Sequence, residues 1–424
     1  MDQVADIARF ANGARPQILP LREQSSQITE MVRGRLDEII PRAMDAAGID
    51  LWLILCQEDN PDPLFLTMIP FDNWHPILSC LVFAREGKSI RRYNLSGVDT
   101  KDLYERPYSG QLEEKQWPLL LDIIAQHDPG TIGINVGTVA WSAGGLTHFL
   151  YEQLTAKLPA KYRERLVSAE KAAVLWASTM TDREAIHFKR VTELGQYMIA
   201  ECFSSRTITP GVTTIDDLVW HYWQHTYDIG LDVAFRPYFR VHRDERDTRY
   251  PITTIAPGDV IHCDTGIKYM RFNSDHQHLA YVPKHGETGI SPGLAARLAD
   301  NNRLQDIYMA GFRHGLTGNQ MLSSMLKRAL AEGVPDPKIY SHNLGLFLHQ
   351  PGPLIGLPWD QEAKLPRGEV GLEYNSAFVM ELSTTGPVPE WGGQMLRLGT
   401  EEPVIFTKDG CRTLCGRQTE FYVI

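Results

Sequence analysis

Apolar residues in the N-terminal part of the chain follow two patterns, helical spacing and short continuous runs. Residues 29–48 place apolar side chains near helical spacing, and Gly48 is a typical helix stop. Three mostly apolar runs have the length of buried strands: 49–56, 77–84 and 130–136. Residues 117–127 form a helix-like segment before the third run, and 161–178 closes the region. Alternating strand and helix patterns predict an α/β domain over residues 1–178.

A second unit follows, and we place it at residues 179–424. Thr181 and Glu184 have the spacing of a capping box, which predicts a helix that starts there. Strand-like runs then dominate the sequence: VIHCDTGIKY, HLAYVPK, SAFVMELST and EPVIFTK. A helical stretch over 292–332 interrupts them and is expected to divide near Gly315. This pattern predicts an α+β unit with a sheet at its centre.

Composition and charge narrow the class of protein. Of the 424 residues, 43% are hydrophobic and 22% are charged, which is ordinary for a soluble globular protein. The formal net charge of −10 argues against nucleic-acid binding, which needs clustered lysine and arginine. The sequence has no apolar run of about 18 residues and no signal-like N-terminus, so we expect a cytoplasmic protein without a membrane partner. The six cysteines follow no framework pattern and are expected to be reduced thiols.

Two aspartates give the densest chemical signal, in residues 258–282. Asp264 ends the strand-like run VIHCD, and Asp275 lies 11 residues later on the returning strand. Carboxylates on neighbouring strands of one hairpin can converge on a common cation, and hard divalent cations prefer oxygen ligands. His276 and His278 follow the second aspartate and are expected to face solvent or the mouth of a cleft. The hairpin therefore predicts a metal site.

Further candidate ligands lie downstream. His342 and His349 are seven residues apart, and Glu381 lies in an apolar strand-like run where a charge is costly without a partner. Glu401 and Glu402 begin another strand-like run, and strand phase favours Glu401 as the ligand, with Glu402 as its rival. Two aspartates and two glutamates contribute four negative charges, which two divalent cations balance. The set predicts a binuclear centre.

The order of these residues resembles that of the pita-bread metallopeptidases, which include methionine aminopeptidase, Xaa-Pro aminopeptidase and prolidase. In that family the first aspartate lies in a D-x-G hairpin and the second in a serine-aspartate pair. This chain has Asp264-Thr-Gly266 and Ser274-Asp275 at these places. An α/β region ahead of the motifs is the layout of the Xaa-Pro aminopeptidase and prolidase branch. The resemblance implies an α/β N-terminal domain followed by an α+β pita-bread (creatinase/aminopeptidase) catalytic domain.

The remaining motifs continue the resemblance. The family's ligand histidine lies in H-x-x-G-L-x-x-H, and this chain has His342-Asn-Leu-Gly345-Leu-Phe-Leu-His349. Glu381 matches the glutamate of a central strand in the family. Glu401 precedes VIFTKDG, as the family's last glutamate precedes V-x-V-T-x-D-G.

The resemblance implies a dinuclear metal-dependent aminopeptidase or dipeptidase that hydrolyses an N-terminal Xaa-Pro or similar peptide bond through a metal-bridging hydroxide. The implied ligands of the two divalent cations are Asp264, Asp275, His342, Glu381 and Glu401. A carboxylate-rich set with one imidazole favours Mn²⁺, with Co²⁺ and Zn²⁺ as alternatives. Glu381 is implied as the general acid and base, and His349 as a hydrogen-bond donor to the oxyanion or substrate. The family also implies a homodimer that acts on small peptides.

Some positions depart from the family pattern, and they concern the substrate. The family's arginine two residues before the last glutamate is Gly399 here, and its upstream substrate histidine is Asp247. His242 and Arg397 are the nearest replacements, and together with His349 they are predicted to bind the substrate. These departures leave the metal ligands intact and separate the question of the metals from that of the substrate.

Other functions stay open at this point. A non-catalytic protein, or a creatinase-like hydrolase of a non-peptide C–N bond, would share the fold. More remotely, His262 and Asp264 with a distal His342 imitate the two-histidine, one-carboxylate triad of a mononuclear iron oxygenase. That alternative leaves three of the carboxylates unexplained. His262 is expected either to support a ligand or to be a packed strand histidine.

Overall fold

The computed structural model describes residues 15–73, 78–110 and 112–424. They form two compact units, one of residues 19–184 and one of residues 15–18 and 185–424. The division falls at Glu184, in the first turn of a helix that continues into the second unit.

The first unit is built on a five-stranded sheet with helices between its strands. Its strands are β1 (Leu51–Gln57), β2 (Leu78–Glu86), β3 (Ser89–Asn94), β4 (Ile132–Ile134) and β5 (Leu166–Ser168). Its helices are α1 (Leu21–Ala47), α2 (Phe65–Met68), α3 (Glu113–His127), α4 (His148–Lys157), α5 (Ala160–Arg163) and α6 (Glu170–Ser178), with a 3₁₀ turn at Trp141–Ala143. The strand order is β3-β2-β1-β4-β5, antiparallel from β3 to β1 and parallel from β1 to β5.

The predicted α/β pattern of this unit is confirmed. The runs 49–56 and 130–136 contain β1 and β4, and the described part of 77–84 lies in β2, while Ile77 is outside the described residues. Apolar side chains on β1, β2 and β4 form one core with those of α3 and α4. The alternating strand and helix segments predicted from the sequence therefore supply the side chains of this core.

A buried ion pair fixes the end of the first unit. Glu184 lies 3.0 Å from Arg35 of α1, and both side chains are almost fully buried. The carboxylate of Glu184 also accepts a hydrogen bond of 2.8 Å from the backbone N–H of Thr181, while the N–H of Glu184 donates to the Thr181 hydroxyl at 3.2 Å. These reciprocal bonds are the predicted capping box, and the helix begins at Asp182.

The second unit contains an eight-stranded sheet, a small three-stranded sheet and four helices. The helices are α7 (Asp182–Cys202), α8 (Ile215–Asp228), α9 (Pro292–Gly311) and α10 (Gly318–Ala331), with 3₁₀ turns at Pro366–Glu369 and Pro389–Trp391. The small sheet has the order β10-β9-β6, from β6 (Asp232–Val233), β9 (Ile267–Tyr269) and β10 (Phe272–Asn273). The division of the predicted helical stretch 292–332 is confirmed, because α9 and α10 lie on either side of Gly315.

The large sheet carries the strands that matter for function. They are β7 (Tyr238–His242), β8 (Val260–Thr265), β11 (His276–Tyr281), β12 (Lys338–Tyr340), β13 (Ser376–Val388), β14 (Gln394–Thr407), β15 (Gly410–Thr413) and β16 (Tyr422–Val423). Their order is β12-β13-β14-β11-β8-β7, with β15 paired to β14 and β16 paired to β11.

The register of this sheet places six polar residues in one row, which we call the polar row. From β7 to β12 it consists of Tyr238, Asp264, Gln277, Glu401, Glu381 and Tyr340. Successive side chains of a strand point to opposite faces, so the row occupies one face. Met380 and Leu382 point to the other face, where they share a core with Leu304 and Ile307 of α9. One face is thus packed and the other is polar.

Two further features concern the helices and the cysteines. No helix among the described residues is both long and apolar enough to cross a lipid bilayer. The six cysteines are all free thiols in the described part of the chain, as predicted, and Cys411 is the least buried of them.

Candidate metal centre

Three carboxylates converge at the middle of the polar row. Oxygen atoms of Asp264, Asp275 and Glu401 lie within 4.8 Å of one another. Asp264 and Glu401 belong to the row, and Asp275 precedes β11, two residues before Gln277 and so on the same face. Asp275 and Glu401 are buried and Asp264 is half-buried, and carboxylates so placed repel one another unless a cation lies between them.

The hairpin that carries the two aspartates requires a glycine at position 266, between β8 and β9. A Cβ atom at Gly266 would lie 2.2 Å from the backbone carbonyl oxygen of Ser274. The close approach lets the Ser274 N–H donate to the Ile267 carbonyl at 2.9 Å, and the Ser274 hydroxyl accepts from the Ile267 N–H at 3.1 Å. The D-x-G and serine-aspartate motifs therefore act together, because each holds the other strand in place.

A second group joins Asp275 to two histidines. Ligand atoms of Asp275, His342 and His349 lie within 4.8 Å of one another. The Nε2 atom of His342 lies 3.8 Å from Oδ2 of Asp275, and its Nδ1 lies 3.0 Å from the Asn343 carbonyl oxygen. Since a carbonyl only accepts, Nδ1 carries the proton and the Nε2 lone pair faces the carboxylate, as in metal-bound histidines. Asp275 is the member that the two groups share.

Glu381 stands beside these groups. It is the direct cross-strand neighbour of Glu401, and burial raises the pKa of its carboxyl group. Its charge raises the pKa values of Asp264, Asp275 and Glu401 in turn. Among the described residues, however, Glu381 is in none of the groups with mutual distances within 4.8 Å. Its role as a ligand stays a prediction.

The electrostatics of the centre fit bound divalent cations. Burial, followed by the charge of Glu381, raises the pKa of Asp264 to about 7, and burial raises the pKa values of Asp275 and Glu401 well above their usual range. The Oε1 atom of Glu401 is buried and has no hydrogen-bond partner within the described chain. Burial and the neighbouring His349 lower the pKa of His342 to about 3, so its imidazole is neutral. Hard oxygen donors with one neutral imidazole suit Mn²⁺ and similar ions.

Gln277 lies among these carboxylates, and its orientation is fixed. Its Oε1 is 2.9 Å from Nε2 of His262, and its Nε2 donates to Oδ2 of Asp264 at 3.5 Å. Its amide also lowers the pKa values of Glu381 and Glu401 through hydrogen bonding. Because burial keeps the pKa of His262 far below its usual value, His262 is neutral and donates to Gln277. His262 thus supports the centre through Gln277, whose role sequence reasoning missed.

His276 and His278 do not face solvent, and that prediction is wrong. Both are fully buried on the packed face of the sheet, where they contact Glu402 at 3.3 and 2.6 Å. Gln196 and the backbone N–H of Gln418 donate to the same carboxylate at 3.2 and 3.0 Å. Burial would raise the pKa of Glu402, yet the two histidines bring it to about 2. These three residues are within 4.8 Å of one another, but the satisfied carboxylate is typical of a structural network.

A polar cavity of about 190 Å³ opens beside the centre. Its charged lining consists of Asp264, Glu381, Arg240, Lys338 and Arg397. The predicted substrate residue Arg397 therefore lies next to two of the predicted metal-site carboxylates. Arg240 was missed by sequence reasoning, although its position on the polar face follows from its pairing with His262.

The other predicted substrate residues are placed differently. His242 is outside the lining of this cavity; its ring lies 6.3 Å from that of His262, and burial and the Arg240 charge lower its pKa to about 4. The ring of His349 lies 4.3 Å from that of His342, on the side of the second group. Gly399 lines the cavity, and a Cβ atom there would lie 2.8 Å from the Leu382 carbonyl oxygen. The binding roles of His242, His349 and Arg397 stay predictions.

Several solved structures share this fold. The chain is similar to X-Pro aminopeptidase from Thermotoga maritima, with 16% identity and a TM-score of 0.62 over 90% of this chain and 100% of that chain. It is also similar to Xaa-Pro dipeptidase from Bacillus anthracis, with 16% identity and a TM-score of 0.59 over 94% and 100% of the two chains. The chain has the pita-bread fold. The predicted fold class is confirmed for nearly the whole chain.

The fold also occurs in a protein that is described as a subunit of a complex. The N-terminal domain of the FACT complex subunit SPT16 from Cicer arietinum matches with 12% identity and a TM-score of 0.58, over 93% of this chain and 99% of that chain. No protein-family model matches the sequence, and no curated protein matches it. Because peptidases and a subunit of a complex share the fold, the activity has to be argued from the site.

Proposed function

We propose that the protein is a metal-dependent hydrolase of short peptides that uses two divalent cations, with Mn²⁺ favoured. The observation that carries the proposal is the position of Asp275, which belongs to two ligand groups at once. Asp264 and Glu401 complete one group and His342 belongs to the other, so a bridging carboxylate is available between them. Glu381 adjoins Glu401 and completes the predicted set.

The residues of the chain have separate tasks in this proposal. Bound cations would supply Lewis-acid chemistry, by polarising a carbonyl group and acidifying water. Glu381, whose pKa is raised by burial, accepts a proton from the attacking water and passes it to the leaving nitrogen. His342 is held in its neutral tautomer by the Asn343 carbonyl. His349, whose pKa is lowered by burial and by Arg367, donates a hydrogen bond to the oxyanion.

The finer proposal concerns the bond that is cleaved. Two of the similar structures are described as an X-Pro aminopeptidase and an Xaa-Pro dipeptidase, so Xaa-Pro or similar N-terminal bonds are the first substrates to test. The α/β unit ahead of the ligand residues supports the same branch. A homodimer and a cytoplasmic location accompany the proposal as predictions.

The test combines metal analysis with a peptide panel. Protein dialysed against Mn²⁺, Co²⁺ or Zn²⁺ is assayed with dipeptides and longer peptides, with and without proline at the second position. We expect two metal ions per chain and hydrolysis that chelators abolish, whereas Asp275→Asn loses both. Full hydrolysis after metal removal would contradict the proposal. Cleavage of dipeptides alone would identify a dipeptidase.

A binding protein without catalysis is the second candidate, favoured by the similarity to the SPT16 domain. The two candidates differ in what Glu381→Gln does. If Glu381 moves protons, the variant assayed at saturating Mn²⁺ loses turnover by about 10²–10⁴-fold. A metal-loaded wild-type protein that cleaves none of the peptides, including those with acidic ends, would favour the binding protein.

A further inference from the structure

The cavity beside the metal centre carries positive charge that the chain does not balance. Three cations line it, and Lys338 is balanced by Asp336, whose carboxylate lies 3.2 Å from its ammonium group. Neither Arg240 nor Arg397 forms an ion pair with a carboxylate of the described residues. The carboxylates of the centre are committed to the proposed cations, so two guanidinium groups are left over.

The position of Arg240 lowers the stability of the fold. Arg240 projects from β7 on the polar face beside His262, and its Nε is buried with no hydrogen-bond partner in the described structure. Burial and the nearby charge of Arg397 both lower its pKa, and Asp264 opposes them. A half-buried guanidinium whose Nε has no partner is destabilising, and a bound anion would remove that cost.

Arg397 is aimed at the same cavity by a different contact. Its Nε donates to the Ser383 hydroxyl at 2.9 Å, across from Gly399. Because Gly399 has no side chain, the guanidinium of Arg397 can reach the cavity over it. Arg397 is thus held at the cavity by Ser383, beside the uncovered backbone of Gly399.

The rest of the lining is mostly polar. Leu382 and Pro358 are its only aliphatic members among the described residues, and besides Tyr238 and Tyr340 the other side chains are polar or charged. A pocket for an apolar ring is normally lined by hydrophobic side chains. With a volume of about 190 Å³ the cavity has room for one amino-acid residue of moderate size.

We propose that this cavity binds a C-terminal acidic residue, whose α-carboxylate and side-chain carboxylate pair with Arg240 and Arg397. The preferred substrates are then short peptides that end in aspartate or glutamate, with the acidic residue on the leaving side of the cleaved bond. Guanidinium groups bind carboxylates through paired charge-assisted hydrogen bonds, which gives the preference its geometry. This inference rests on the proposed hydrolase function and names its substrate class.

The kinetic test compares alanyl-glutamate, alanyl-glutamine, alanyl-proline and glutamyl-alanine with the Mn²⁺-loaded protein. We expect the highest kcat/KM for alanyl-glutamate. Arg240→Gln and Arg397→Gln should each lower that value by about 10–100-fold. The ratio of the alanyl-glutamate value to the alanyl-glutamine value should fall towards one when both are replaced, because alanyl-glutamine offers only its α-carboxylate to the two guanidinium groups. Arg412→Gln, an exposed arginine on β15 outside the cavity, is the matched control. A preference for alanyl-proline or glutamyl-alanine that survives both cavity variants would overturn the inference.

A binding test separates this inference from the proposed function. Glu381→Gln, which is expected to be slow, is titrated calorimetrically with alanyl-glutamate and alanyl-glutamine, alone and combined with Arg240→Lys. Tighter binding of alanyl-glutamate that Arg240→Lys weakens supports the acidic cavity, even if no wild-type hydrolysis is found. Equal binding of the two peptides overturns the cavity assignment, even if hydrolysis is found. Thermal unfolding of each variant confirms that it is folded.

Discussion

Glu401 and Glu402 are neighbours in the chain, and their carboxylates lie on opposite faces of one sheet. Glu401 lies in the polar row with Asp264 and Asp275 close by, whereas Glu402 is held by two histidines on the packed face. The alternation of side chains along β14 is sufficient to separate them. One carboxylate is short of a positive partner, and the other is fully satisfied.

We therefore expect Glu401→Gln to lower metal binding and Glu402→Gln to lower stability. Glu401→Gln should lower metal content and activity but leave the metal-free protein as stable as wild type, because it removes a buried, unpaired charge. Glu402→Gln should keep its metals but lower the free energy of unfolding by about 3–5 kcal/mol, because it breaks a buried charged network. Metal analysis and urea unfolding of metal-free and metal-loaded protein measure both effects. The assignment fails if the two variants lose metal equally.

The shared position of Asp275 predicts the metal stoichiometry of two variants. Asp275→Asn removes a member of both ligand groups and should leave no tightly bound ion. Asp264→Asn removes a member of one group and should leave about one ion per chain. Equilibrium dialysis followed by elemental analysis gives the counts, with the exposed Asp409→Asn as control. Identical counts for Asp264→Asn and Asp275→Asn would show that Asp275 bridges nothing.

Gly266, between β8 and β9 of the aspartate hairpin, has no room for a larger side chain. Gly266→Ala forces a Cβ against the Ser274 carbonyl oxygen, so we expect a loss of about 1–3 kcal/mol in the free energy of unfolding. Metal affinity should fall as well, because the two strands that carry Asp264 and Asp275 are pushed apart. Gly289→Ala is the matched control, since no atom lies within 4 Å of its added Cβ. Equal stability of the two variants would refute the steric argument.

A buried aspartate in the first unit predicts a pH dependence. Burial, opposed by hydrogen bonds from Asn135 and Leu64, raises the pKa of Asp62 from 3.8 to about 6. The folded state therefore binds this proton more tightly than the unfolded state, and stability falls as the pH rises from about 4 to 6. In Asp62→Asn this part of the pH dependence should vanish. The free energy of unfolding of the variant should therefore rise relative to that of wild type by roughly 2–3 kcal/mol between pH 4 and pH 6.

Urea unfolding of both proteins at intervals between pH 4 and pH 7 measures this difference. The substitution also changes hydrogen bonding, and that effect is constant with pH, so the slope carries the information. Asp122 is an exposed aspartate on α3, and Asp122→Asn should show the same pH dependence of the free energy of unfolding as wild type. A constant offset between Asp62→Asn and wild type would exclude the titration of Asp62.

Much of the fold could be predicted from the sequence because local rules and tertiary packing agree. The capping box at Thr181 and Glu184 forms as its spacing indicates, and the alternation in VIHCD places Asp264 on the polar face. Strand phase alone separates Glu401 from Glu402. These features depend on residues that are near in sequence.

The parts that sequence reasoning missed depend on residues that are distant in sequence. His276 and His278 bond with Glu402 on a strand more than 120 positions later, and no local pattern announces such a network. Arg240 acquires its meaning from the register between β7 and β8. Gln277 does so from Glu401, its cross-strand neighbour on β14. Register across a sheet is a tertiary property, and alternation within one strand fixes only the face.

The polar row also bears on the order of events in folding. Asp264 and Gln277 come from strands within residues 238–281, and Glu381 and Glu401 from strands within residues 338–407. In the strand ladder the two halves pair at Gln277 opposite Glu401. Neither half holds a complete ligand set, so the two halves have to pair before all the predicted ligands can surround the metals. A metal added during refolding would therefore stabilise the paired sheet over either half alone.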